Sequence, residues 1–146
     1  MKALTLTQPW ASFVAFGEKA IETRSWWTPY RGPLAIHAAK GYPDWAVKMC
    51  WSNTFFAQLL AYHGISFPER LPRGVIVATC HVTGCFPTKR ADALHLSVGE
   101  RELGDFSPGR WMWMLAHVIP MEPPVPARGH LFLWEWEPPT NTEDAP

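Results

Sequence analysis

Two spacings of apolar residues alternate along this chain, and the points where one gives way to the other divide it into elements. Residues Lys2 to Thr7 form a short strand candidate, after which Thr7 or Gln8 can cap a helix with Pro9 at its first position, where a missing N–H costs nothing. Trp10 to Phe16 continue that helix, and Gly17 supplies a left-handed stop. Lys19 to Trp27 is rich in β-branched and aromatic residues and reads as a strand. A turn over Pro29 to Pro33 leads into a third strand, Leu34 to Ala39.

From Pro43 and Asp44 the spacing changes to three and four. Ala46, Val47, Cys50, Trp51, Phe55, Leu59 and Leu60 predict one long helix ending near His63 and Gly64, with Trp45 and Trp51 in its buried stripe. A connector holding Pro68 and Pro72 follows. Gly74 to Val82 is almost continuously apolar, the pattern of a strand covered on both faces. Residues 83 to 109 are interrupted by glycine, with room for one short helix before the turn Ser107-Pro108-Gly109. Arg110 to Ile119 reads as a strand, Glu122 to Gly129 as an extended proline-rich loop, and Leu131 to Glu137 as the last strand. Five or six strands with a helix inserted early predict an α+β domain built on a small closed or nearly closed barrel. One domain over residues 1–137 is expected, followed by a disordered acidic tail, residues 138–146.

Charge refines this picture. The 13 Lys and Arg balance the 13 Asp and Glu, so the strong basic footprint of a duplex-DNA binder is missing. The balance is uneven, however: residues 135–146 hold Glu135, Glu137, Glu143 and Asp144 and no cation, which leaves the rest of the chain basic. The 3 cysteines form no disulfide framework, no run is long and apolar enough to cross a bilayer, and the N-terminus resembles no targeting segment. A cytoplasmic protein without a membrane partner is expected. The 9 tryptophans exceed what such a core requires, so some indoles are expected at a surface.

The sharpest chemical cluster is GEKAIETR, residues 17–24, a G-x-K-x-x-E-x-R pattern. On a regular strand Glu22 and Arg24 share a face, whereas Lys19 points to the other unless the strand starts or bulges between them. A cation, a carboxylate and a guanidinium beside a helix end can bind phosphate, orient a base, or tune one another for proton transfer. The plainer reading is an ion pair between Glu22 and Arg24 on a solvated face, with Lys19 an ordinary lysine.

That string follows LTLTQPWASFVAFG and precedes SWWTPYRGPLAIHAAK, and with GDFSPGRWMWML and PPVPARGHLFLWEW it resembles the ASCH family of the PUA superfamily. The resemblance implies a β-barrel with flanking helices and a cleft lined by Lys19, Glu22 and Arg24, with Gly17 as the turn. It also implies RNA or DNA binding; similar proteins include hydrolases that deacylate N4-acetylcytidine and others reported as ribonucleases. The deacylases carry a threonine where this chain has Glu22, a departure that disfavours a hydroxyl nucleophile.

Further candidates surround the motif. Trp10 and Trp26 adjoin it and Trp111 lies in the second matching segment; each indole can stack on a base or serve as core. Trp134 and Trp136 share a face of the last strand and are expected to pack inside. Asp105 and Arg110 bracket the Phe106 to Gly109 turn, either walling the same cleft or stabilising the turn itself. His37 and Lys40 end the third strand, where His37 can titrate near neutral pH or sit hydrogen-bonded. Cys80, His81 and Cys85 lack the paired spacings of a zinc site, and alternation sends Cys80 and His81 to opposite faces.

Two functions follow from these residues. One is a binding module for single-stranded RNA or a modified nucleotide, with Lys19, Glu22, Arg24, Trp10, Trp26, His37, Lys40, Asp105, Arg110 and Trp111 as candidate contacts. The other is a hydrolase of an acylated pyrimidine nucleoside or of RNA, with Lys19 and Glu22 catalytic. Neither a cofactor nor a metal is expected. The partner is a single-stranded RNA, nucleotide or nucleoside.

Overall fold

Alternation along Lys2–Leu6 sends Leu4 and Leu6 into one core cluster and Ala3 to the opposite face into another, so this first strand, β1, is buried on both sides. The computed structural model describes residues 1–140. Five further strands follow in chain order: β2 (Ile21–Arg24), β3 (Gly32–Ala38), β4 (Val75–Pro87), β5 (Trp111–Pro126) and β6 (Leu133–Glu135). The helices are α1 (Trp10–Ala15), α2 (Asp44–Ser52), α3 (Thr54–Tyr62) and α4 (Val98–Leu103). The strands form one sheet in the order β2-β5-β4-β3-β1-β6, all neighbours antiparallel except β1 and β3.

The sheet curls because its long strands are bulged. Between β4 and β5 the register shifts at Ile76/Ala78, Thr79/His81 and Val82/Gly84, and each bulge bends the ladder and increases its twist. The result is a half-barrel, an α+β fold of the PUA-like kind. Its interior is filled by Leu4, Leu6, Leu34, Ile36, Val82, Trp113 and Leu115, which meet Ala11 and Val14 of α1. A second cluster, Phe13 with Phe56, Leu60, Leu71 and Leu103, fastens α3 to the outer side of α1.

Several elements differ from the sequence reading, among them β2, which is shorter at both ends than Lys19 to Trp27. The single long helix is two, because Asn53 leaves helical geometry at φ −86° and ψ 112°. Its side-chain oxygen accepts from the Phe56 N–H at 3.1 Å, so one residue ends α2 and caps α3. The buried stripe of α2 is Ala46 and Cys50, and Trp45 and Trp51 fall outside it, at 59% and 58% exposure. The proline-rich stretch is no loop up to Pro126: it continues β5, with Val125 opposite Ile76 and Pro126 opposite Val75. Strand β2 covers β5 only from Trp111 to Met114, so further along β5 has one free edge, where prolines lose no ladder hydrogen bond. Strand β4 runs on past Val82 to Pro87, and β6 is shorter than Leu131 to Glu137.

The indoles of Trp134 and Trp136 are buried together against Ala3 and Ile76. Cys80 is buried while His81 is exposed, on opposite faces of β4. Residues 138–140 carry no regular structure, and the remainder of the expected tail, residues 141–146, lies outside the described residues. Among the described residues no helix is long and apolar enough to cross a membrane.

Candidate functional site

The motif begins where α1 stops. Gly17 has φ +79°, a conformation that favours glycine, and the N–H groups of Glu18 and Lys19 both donate to the Phe13 carbonyl. Regular pairing resumes only at Ile21, so Lys19 and Ala20 form an irregular lead into β2. That lead rotates the Lys19 side chain inward. It is 1% exposed, and its Nζ donates to the carbonyls of Ile21 at 2.5 Å and Leu103 at 3.0 Å.

Glu22 lies directly above this ammonium. Its Oε1 is 3.8 Å from Lys19 Nζ and accepts from the Thr23 N–H at 2.9 Å, while its Oε2 is 3.3 Å from Arg24 Nη2. The same Nη2 donates to the Thr5 carbonyl at 2.7 Å. Alternation thus puts Glu22 and Arg24 on one face, and the carboxylate is gripped from three sides. Burial pushes the Lys19 pKa below the usual lysine value, aided by Arg24 and opposed by the charges of Glu22 and Glu100. Glu100 accepts from the Ala20 N–H at 2.6 Å, and burial raises its pKa.

Above Glu22 and Arg24 opens a cleft of about 520 Å³, within the range of small-ligand sites. One wall is apolar: Trp10 of α1, Trp45 and Met49 of α2, and Phe56 of α3. Trp10 and Trp45 stand 5.9 Å apart at a tilt of 47°. The facing wall is polar, with Thr23, Asp105 and Arg110. Arg110 Nη2 donates to the Thr23 carbonyl at 3.1 Å, the Thr23 hydroxyl accepts from the Asp105 N–H, and Arg110 Nε is 3.4 Å from Asp105 Oδ2. Asp105 also accepts from the Ser107 N–H at 3.0 Å, which with the Ser107 hydroxyl holds its pKa below the usual carboxylate range. Asp105 is therefore both a turn brace and a cleft wall.

The ten residues singled out from sequence fall into separate places. Trp10, Glu22, Arg24, Asp105 and Arg110 share the cleft, and Lys19 lies beneath it rather than in its lining. Trp26 packs edge-on against Trp113 and Phe132. Trp111 borders a separate hollow with Lys89 and Arg110, beside the exposed Trp27. His37 and Lys40 line a different groove on the far side of Thr5. Cleft residues not anticipated include Thr5, Thr7, Trp45, Met49, Phe56 and Glu102. Trp45 and Met49 are four apart, next to the buried Ala46 and Cys50, so they mark a second stripe on the same helix.

A curled mixed sheet with a helix-walled cleft at its open side defines an α+β domain of the PUA-like kind. Residues 4–125 match the ASCH domain, and the chain belongs to that family. Activating signal cointegrator 1 of Homo sapiens and of Mus musculus is each 33% identical over 87 residues. That alignment covers 60% of this chain and 15% of the cointegrator, so the chain spans a small part of those relatives. The crystal structure of ASCH from Zymomonas mobilis shares the fold, with a TM-score of 0.50 at 12% identity, over 86% of this chain and 72% of that one.

Proposed function

We propose that the cleft holds one unpaired nucleotide of single-stranded RNA. The observation that carries this reading is the carboxylate of Glu22, fixed between Lys19, Arg24 and the Thr23 N–H on the floor of a cleft walled by two indoles. A carboxylate beside a guanidinium offers an acceptor next to donors, the complement of a base edge that presents an amino group beside a carbonyl or ring nitrogen. Trp10 and Trp45 supply the apolar surface on which a base face rests. The chain's near-zero net charge suits recognition of one splayed base rather than a long electrostatic track. The family resemblance to nucleic-acid binders points the same way. In this reading Lys19 touches no ligand: its ammonium compensates Glu22 from below and sets the carboxylate's position.

The test is a titration of wild type and Glu22→Gln with single-stranded RNA hexamers of each base, followed by tryptophan fluorescence. Saturable quenching by at least one hexamer, weakened about 10-fold or more in the variant, supports the reading, since a bidentate base contact discriminates by about 1 to 3 kcal/mol. Equal quenching of both proteins contradicts it.

One observation favours a second reading, hydrolysis of an acylated pyrimidine nucleoside or of RNA. A buried ammonium with a depressed pKa stands 3.8 Å from a carboxylate on the cleft floor. There Glu22 would take a proton from water as it adds to the acyl carbonyl, and the nucleoside amine would leave protonated. Incubation with N4-acetylcytidine decides it: release of cytidine and acetate, abolished in Glu22→Gln, selects hydrolysis over binding.

A further inference from the structure

On the opposite side of Thr5 from the cleft lies a groove of about 1070 Å³, twice the size of the cleft itself. Its charged lining is Lys40, Arg73 and Arg128, with no Asp or Glu. Among the described residues none of these three cations is ion-paired, whereas Arg24, Arg101 and Arg110 each stand beside a carboxylate. In a chain of zero net charge, three uncompensated cations around one depression create a local field for anions.

The groove is built, not a chance meeting of long side chains. Its floor is His37, 1% exposed, whose Nε2 donates to the Ala127 carbonyl at 2.8 Å; a carbonyl can only accept, so Nδ1 is the acceptor toward the Thr5 hydroxyl at 3.1 Å. The Thr5 hydroxyl in turn accepts from Trp134 Nε1 at 3.1 Å. Gly129 closes the loop over this ring: a Cβ there would stand 2.6 Å from His37 Cε1. Ala127 and Gly129 are thereby pinned, and Arg128 between them is left exposed at the groove.

Thr5 borders both depressions. Its carbonyl receives Arg24 on the cleft side and its hydroxyl faces His37 on the groove side. Strand β6 covers β1 only from Lys2 to Leu4, so no strand of the sheet flanks that edge of β1 at Thr5. We infer that the groove of Lys40, Arg73 and Arg128 is a phosphate subsite, and that the ligand is a single-stranded polynucleotide whose backbone passes Thr5 from the cleft into the groove. This rests on the nucleotide reading of the cleft and sharpens it, because a free nucleoside or an acylated nucleoside would leave the groove unused.

The test compares wild type with the Arg73→Ala/Arg128→Ala double variant against three probes: a nucleoside, an RNA hexamer, and an abasic phosphodiester hexamer. Fluorescence anisotropy at several salt concentrations reads the two strands, and calorimetry the nucleoside. Expected are unchanged nucleoside affinity, hexamer affinity reduced about 10-fold, and a salt slope shallower by about 1.4, the value for two lost phosphate contacts on a single strand. Hexamer affinity and slope equal to wild type would overturn the subsite while leaving the cleft reading intact. If wild type binds neither nucleoside nor RNA hexamer, the cleft reading fails, and the abasic strand then decides the groove alone: binding lost in the double variant upholds it, and no binding overturns it. Binding to anionic phospholipid vesicles but to neither strand also overturns it.

Discussion

Arg24 of β2 donates a 2.7 Å hydrogen bond to the main-chain carbonyl of Thr5 in β1, although three strands of the sheet lie between them. In a flat sheet, strands four places apart are separated by about 19 Å, at about 4.8 Å per strand. A single side chain spans the gap only because the bulges in β4 and β5 curl the sheet until its ends approach. The guanidinium thus fastens the mouth of the half-barrel and aligns the Glu22 carboxylate in the same gesture.

Substituting Arg24 by lysine keeps the charge but ends the side chain one bond short of Nη2, the single nitrogen that holds both Thr5 and Glu22, so the ammonium cannot keep both contacts in place. Arg24→Lys is expected to lower unfolding free energy by about 1 to 2 kcal/mol, the value of one charged hydrogen bond in a partly buried place. Urea unfolding of the two proteins checks it, together with a loss of RNA affinity at least as large.

Lys19 makes stability depend on alkaline pH. Its native pKa is pushed below the ordinary 10.5, so between those two values the native chain has released a proton that the unfolded chain still holds. Stability therefore rises with pH across that window, and the burial cost is fully present below it. Lys19→Met removes this slope while leaving the Ile21 and Leu103 carbonyls without their donor and Glu22 without one of its two cations, a loss of about 3 kcal/mol or more. The expected result is a variant that is less stable throughout, with the gap to wild type widening as pH rises from the lowered native pKa toward 10.5.

His37 has the opposite limb. Burial holds its pKa below the ordinary 6.5, against the Ala127 hydrogen bond, so its stabilising contribution is complete above that value. It is lost as pH falls through the native pKa, because the unfolded chain takes up the proton first. His37→Asn should flatten the acid side of the stability profile. Nitrogen-15 chemical shifts of the ring in wild type should show the proton on Nε2 at neutral pH, facing Ala127.

Local signals carried much of this architecture. Gly17 announced the stop of α1, and the odd spacing of Lys19 from Glu22 required the irregular lead that the structure contains. What pattern could not convey was competition between local and long-range terms. The three-and-four periodicity continues through Asn53, and only the capping set Ser52-Asn53-Thr54 hinted that α2 and α3 part there. Proline suggested a loop over Glu122 to Gly129, yet β5 continues to Pro126, because its open edge depends on where β2 ends, a fact of topology. The partners of the motif were hidden for the same reason: Lys19 meets Leu103, Arg24 meets Thr5, and Trp10 meets Trp45, each pair distant in sequence.

An unpaired base resting on the Trp10 and Trp45 wall with its edge on Glu22 would report itself in the indole Nε1–H signals, once these are assigned and a single-stranded RNA hexamer is added. Trp10 and Trp45 are expected to shift in wild type, both shifts to shrink or vanish in Glu22→Gln, and the indoles of Trp134 and Trp136 to stay in place. Shifts confined to indoles outside the cleft, or identical in wild type and variant, would contradict that placement of the base.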